Sequence, residues 1–329
     1  TITGMSAATL ALDIGGTKIA FGLVADTASD TCPGTVVGEG RVPTLAHSGQ
    51  ICTQIVLAVQ AAQEEAAAAG LEIVRVGAGA PGIMRPDDGV VVHAGPTIPG
   101  WTGTNVTALI NAVPGLQRTP VAVHNDVRMW AWGEDHFGAG KDIHGRVLYL
   151  SLGTGLGGAV VDCGELLGGP TGSAGEFSEL LVEDCRGLAD RAENVVSGPA
   201  LAAYYRALAA GEHTERIVWA AESDGQVTLR EVMECYHEGE ALAHKVIDGN
   251  LAGFGRAVGG LVSALDLSAV VLGGGVCGIG EPIIAPFTRA LRDAALTPNR
   301  SIPVRTSTLG GNAPLVAAAA YARAQFPAC

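Results

Sequence analysis

The sequence predicts an α/β protein of two similarly folded lobes facing one cleft, and three observations carry that reading. At 329 residues the chain exceeds what one hydrophobic core comfortably supports. A strand–glycine turn–strand pattern occurs twice. Thr9 to Leu12 enters Asp13-Ile14-Gly15-Gly16-Thr17-Lys18 and resumes as Ile19 to Val24; Arg146 to Leu150 enters the run Ser151 to Gly158 and resumes as Ala159 to Asp162. The two patterns lie 138 residues apart, from 13 to 151. They read either as an internal duplication or as two unrelated buried hairpins, which share the same signature. Third, a late strand at Ser268 to Leu272 runs into Gly273-Gly274-Gly275 and then a helix.

The intervening elements follow from periodicity and punctuation. Residues 50–69 are Ala-rich and stop at Gly70, which predicts a helix with a C-terminal glycine. Val74 to Ala80 is a buried strand ended by Pro81-Gly82. Arg85 to Trp101, with three prolines, reads as loop. Pro120 to Val123 is a short strand running into His124-Asn125-Asp126, and Val127 to Phe137 is helical, with Trp130 in the core. A helix begins near Glu281-Pro282, where proline suits a first turn, and another covers Pro314 to Gln325.

Composition excludes several function classes. With 48% hydrophobic and 16% charged residues the chain is a well-buried globular protein and not a disordered one. A net charge of −13 argues against a nucleic-acid partner, though local backbone amides still bind anions. The seven cysteines are odd in number, widely spaced and form no C-x-x-C, which predicts a reducing, cytoplasmic setting. No apolar run is long enough for a membrane span.

None of the three glycine clusters matches the P-loop pattern. Each would present backbone N–H groups at a strand end, where converging peptide dipoles favour anions. Thr17 and Thr154 add hydroxyls, and Asp13 adds a carboxylate able to hold magnesium. Asp126 reads in two ways: as a helix cap, a common use of Asp, or as the carboxylate that orients an attacking hydroxyl and takes its proton. In the second role an ordinary pKa near 3.9 suffices to keep it ionised.

Taken in order, Asp13-Ile14-Gly15-Gly16-Thr17-Lys18, Ala80-Pro81-Gly82, Pro99-Gly100-Trp101, Asn125-Asp126, Leu152-Gly153-Thr154-Gly155, Ala174-Gly175-Glu176 and Gly273-Gly274-Gly275 resemble the ROK family of glucokinases, N-acylhexosamine kinases and sugar-responsive repressors. The resemblance runs from about Leu10 to Ala322. It implies a duplicated actin-like ATPase, hexokinase-like (ribonuclease H-like) fold, with ATP and sugar between the lobes. It implies a small lobe of residues 1–122 plus 305–329 and a large lobe of 123–304. It implies that phosphates lie against Gly15, Gly16, Thr17 and Lys18 and against Gly153, Thr154 and Gly155, with adenosine near Gly273, Gly274 and Gly275. By the same likeness Asp126 is the base, and Asn125, Glu176 and Glu193 bind sugar hydroxyls. ATP and Mg2+ are the expected cofactors, a hexose the substrate, its 6-hydroxyl the acceptor, and a homodimer the expected assembly.

The chain departs from the family pattern in two places. Family members that bind structural zinc carry one His and three Cys where this chain has Glu179, Asp184, Arg186 and Arg191. Arginine cannot ligate zinc, so no structural zinc is expected. Two acids and two bases there read either as an ion-pair cluster or as unrelated surface charges. The second departure is Thr97, two residues before Pro99-Gly100-Trp101, where many members have an Asn that touches the sugar; the sugar's identity therefore stays open. His93, His124 and His136 receive no role. A sugar kinase is the leading reading. A DNA-binding repressor is disfavoured, with 12 residues ahead of Asp13, and a catalytically silent relative is the remaining alternative.

Overall fold

The computed structural model describes residues 5–26, 33–95, 98–212, 214–217 and 225–327. The chain divides into two compact units: residues 1–141, 168–174 and 308–329 form the first, and residues 142–167 and 175–307 the second. No helix among the described residues is long and apolar enough to cross a membrane.

The first unit contains β1 (Ser6–Ile14), β2 (Lys18–Ala25), β3 (Val36–Pro43), α1 (Ile51–Ala69), β4 (Leu71–Ala80), β5 (Ile83–Arg85), β6 (Val90–His93), α2 (Val106–Asn111), β7 (Val121–Asn125) and α3 (Asp126–Phe137). The second contains β8 (Arg146–Leu152), β9 (Leu156–Asp162), β10 (Glu165–Leu166), β11 (Leu181–Glu183), β12 (Ala189–Arg191), α4 (Ala192–Val196), α5 (Gly198–Ala209), α6 (Leu229–His237), α7 (Ala241–Ala264), β13 (Ala269–Gly273), α8 (Glu281–Ala294) and β14 (Val304–Thr306); α9 (Ala313–Gln325) returns to the first.

The two main sheets have the same plan. Their strand orders are β3-β2-β1-β4-β7 and β10-β9-β8-β13-β14. In each, three antiparallel strands are followed by two parallel ones. β1 ends at Ile14 and β8 at Leu152, the spacing read from the glycine motifs. Duplication is therefore the correct account of the repeated pattern.

In the first sheet, alternation along β1 sorts its side chains. Leu10, Leu12 and Ile14 join the core under α1, while Ala11 joins the core under α9. Gly77 in β4 allows α9 to lie directly on the sheet, because a Cβ there would sit 2.0 Å from the carbonyl oxygen of Ala318. Gly70 closes α1 at φ 67°, with its N–H on the carbonyls of Ala66 and Ala67.

The unit boundaries differ from those the sequence suggested. Residues 123–141 belong to the first unit because β7 pairs in parallel with β4 and α3 packs against α9. Buried Glu134 of α3 reinforces that packing, accepting the N–H groups of Ala139, Thr308 and Leu309. The catalytic candidate Asp126 thus shares a unit with Asp13.

Candidate active site

Strand register brings Asp13 and Asp126 together. Asp13 pairs with Gly79 across β1 and β4, and Gly79 pairs with His124 across β4 and β7. Asp126 follows two residues later at the start of α3. Gly79 eases the close approach of the two strand ends to α3, since a Cβ there would lie 3.3 Å from the Asp126 Cα, a tight contact. The polar corner is held by Asn125. Its Oδ1 accepts the Arg128 N–H at 3.1 Å, capping α3, and its Nδ2 donates to the Gly82 carbonyl at 3.0 Å. The helix cap is thus Asn125, which leaves Asp126 available for other work. One Asp126 oxygen accepts the Val127 N–H at 2.9 Å.

Burial raises the Asp126 carboxyl to a pKa of about 6, and the nearby Asp13 charge adds to the rise. The ordinary value expected from sequence is corrected here. Burial also raises Asp13, partly offset by the Lys18 ammonium. His124 is held neutral by burial and the Arg128 charge, down to about 4, and its Nδ1 accepts the Asn125 N–H at 2.8 Å.

The first glycine turn is closed by the Gly15 N–H on the Lys18 carbonyl at 3.0 Å, with Gly16, Thr17 and Lys18 exposed. It has a brace that sequence reasoning missed. Thr44 is fully buried; its hydroxyl donates to the Gly15 carbonyl at 2.6 Å and its N–H to the Thr17 carbonyl at 3.0 Å. Thr44 lies 29 residues from Gly15 and carries no local signal.

In the second unit, the turn between β8 and β9 is tied to its neighbours by backbone hydrogen bonds. The Gly198 N–H reaches the Gly153 carbonyl at 2.8 Å, and the Val276 N–H reaches the Leu152 carbonyl at 3.0 Å. Gly274 is obligatory: its φ is +86°, and a Cβ would lie 2.2 Å from the Leu152 carbonyl oxygen. Beside this junction is a cavity of about 320 Å³ lined by Gly153, Thr154, Gly198, Pro199, Thr228 and Gly275, among others. That volume suits a nucleoside, at the lower end of the roughly 300–1,000 Å³ of ligand pockets. A Cβ added at Gly153 or Gly275 would meet nothing within 4 Å, so both positions leave room for a ligand.

The sugar candidates fare unevenly. Glu193 Oε2 accepts the Leu156 N–H at 3.0 Å, so this carboxylate braces the second glycine turn. Gly175, at φ +97°, packs against the Gly158 carbonyl and sets the turn that carries half-buried Glu176. Thr97 lies outside the described residues.

At the four departed positions, charges pair by sign but unequally. Arg191 meets Glu179 at 3.1 Å, both more than half exposed, an arrangement contributing about 0–1 kcal/mol. Asp184 is 3% exposed and accepts from the Arg186 guanidinium at 2.6 Å and from the Tyr204 hydroxyl at 3.0 Å. It also accepts the backbone N–H groups of Arg186 and Leu188. Burial would raise its pKa, but these bonds together hold it below the usual carboxylate range.

The ROK family model matches residues 9–325. The chain belongs to the ROK family. Among ROK relatives, the glucokinase of Streptomyces coelicolor is 33% identical over 97% of this chain and 98% of its own length. That of Halalkalibacterium halodurans is 29% identical over 93% and 92%. A solved ROK family glucokinase from Streptomyces griseus, in complex with glucose and AMPPNP, matches with a TM-score of 0.72 at 30% identity, covering 96% of this chain and 99% of that one. The ROK hexokinase of Thermus thermophilus matches at 0.73 with 27% identity, covering 97% and 98%. The two like sheets are those of the actin-like, hexokinase-like fold.

Proposed function

We propose that this ROK protein transfers the γ-phosphoryl group of ATP to a hexose hydroxyl, the 6-hydroxyl, with Asp126 as general base. The enzyme is a hexokinase-type sugar kinase, the class of its full-length relatives. The observation that carries the reading is the Asp126 carboxylate, poised by burial near pH 6 beside Asp13. A base is most effective when its pKa lies near the working pH.

Asn125, fixed by two hydrogen bonds, binds a sugar hydroxyl next to the base. Asp126 accepts the proton of the acceptor hydroxyl as its oxygen bonds to the γ-phosphorus, and the bond to the β–γ bridging oxygen breaks to release ADP. The glycine turns at Gly15 to Lys18 and Gly153 to Gly155 receive the phosphates, and the cavity at Gly275 receives the adenosine. Asp13 fits Mg2+ as a carboxylate oxygen donor, and the ion, once bound, neutralises phosphate charge. Glu176 is the second-unit candidate for a sugar contact. We assign the protein to a homodimer of the cytoplasm.

The test is an ATP-coupled turnover assay across glucose, mannose, N-acetylglucosamine, N-acetylmannosamine and amino sugars. Turnover of at least one is expected; turnover of none overturns the reading.

A further inference from the structure

An arginine sits where physical chemistry disfavours it. Arg128 lies in the first turn of α3, where the helix dipole repels positive charge, and only 4% of it is exposed. Burying a guanidinium costs several kcal/mol that pairing only partly returns.

Its contacts give it another use. The guanidinium Nη1 donates to the Gly172 carbonyl at 2.5 Å. Gly172 belongs to residues 168–174, the segment of the first unit that lies between two stretches of the second. At φ +74° it rests on β5, where a Cβ would come within 3.1 Å of Ile83 Cγ2 and 3.2 Å of the Met84 carbonyl oxygen. The residue before Ile83 is Gly82, whose carbonyl accepts from Asn125. Asn125, the Gly82–Met84 turn, Gly172 and Arg128 therefore form a closed ring of contacts around the corner that carries Asp126. Gly172 is only half-buried, so water can take over its carbonyl if the guanidinium is removed, while the loop loses its anchor.

We propose that Arg128 is a positioning residue for the acceptor: it holds loop 168–174 as a wall beside Asn125 and Asp126. The proposal rests on the kinase reading above. The Arg128 N–H is bonded to Asn125, the residue assigned to the sugar, so the effect falls chiefly on the sugar side.

The experiment compares wild type with Arg128→Met, Arg128→Lys, Gly172→Ala and the double variant Arg128→Met/Gly172→Ala. Arg128→Met raises KM for the sugar about tenfold, as expected when the charge-assisted hydrogen bond to the Gly172 carbonyl is lost, and leaves KM for ATP near wild type. Arg128→Lys recovers part of the sugar KM. Gly172→Ala displaces the loop without touching Arg128 and gives the same split, and the double variant is no worse than the weaker single one. Amides 168–174 exchange hydrogen faster in both single variants. An unchanged sugar KM in Arg128→Met, equal rises in both KM values, or additive losses would overturn the assignment. If wild type phosphorylates no sugar, the kinase reading falls, and hydrogen exchange still decides the anchor: unchanged exchange at 168–174 in Arg128→Met refutes it.

Discussion

Asp126→Asn separates the cost of the Asp126 carboxylate to the fold from the general-base role proposed for it. Burial and Asp13 raise its pKa from 3.8 to about 6 in the folded protein. A rise of about two pH units, at about 1.36 kcal/mol per unit, means that the ionised carboxylate costs the fold about 3 kcal/mol. The sign follows directly. The folded state holds this proton more tightly than the unfolded chain, so the penalty is fully present above pH 6, shrinks as pH falls from 6 towards 4, and vanishes below the unfolded value. The neutral Asn side chain never incurs it, and its Oδ1 still accepts the Val127 N–H. The variant is therefore expected to be more stable than wild type by about 2–3 kcal/mol at pH 8 and equal to it near pH 3.5, while turnover falls about 10²–10⁴-fold. Urea unfolding at a series of pH values measures the first effect, and coupled ATP turnover the second. In wild type, kcat/KM should drop about tenfold per pH unit below pH 6. A stability difference that does not change with pH, or a variant with near-wild-type turnover, refutes the reasoning.

Three further outcomes test the supporting shell. Asp184→Ala strands the Arg186 guanidinium and the Tyr204 hydroxyl, and should cost about 3–5 kcal/mol by urea unfolding. Because its folded pKa is depressed, the wild-type contribution is present above the unfolded value near 3.9 and is lost as pH falls through the folded one; a chelator at neutral pH should leave the thermal midpoint unmoved. Thr44→Val removes the hydroxyl from the Gly15 carbonyl and should raise KM for ATP about fivefold, for a bond of about 1 kcal/mol, with the sugar KM unchanged in the same assay. Gly274→Ala forces a Cβ against the Leu152 carbonyl and should abolish detectable nucleotide binding in calorimetry, or the protein should fail to accumulate folded.

Much of this site was legible because its determinants are local. Asp13 to Lys18 and Gly153 to Gly155 are short turns between strands, and turn chemistry is written in adjacent residues. Asn125-Asp126 sits at a strand-to-helix junction that Pro120 to Val123 and the following helical run already mark. What stayed hidden depends on residues distant in sequence: Thr44 on Gly15, Glu134 on Thr308 and Leu309, Arg128 on Gly172. The domain boundary was misplaced for the same reason. The parallel pairing of β7 with β4 and the packing of α3 on α9 outweigh the position of Asp126 along the chain.

The sequence by itself determined the two glycine-turned hairpins and their spacing, because glycine placement and strand alternation act within a few residues. Only the tertiary structure decided which unit carries Asp126, that Asn125 caps its helix, and that its carboxyl titrates near pH 6. Those properties come from desolvation and from a second carboxylate brought alongside by strand pairing, and neither is present until the chain has folded.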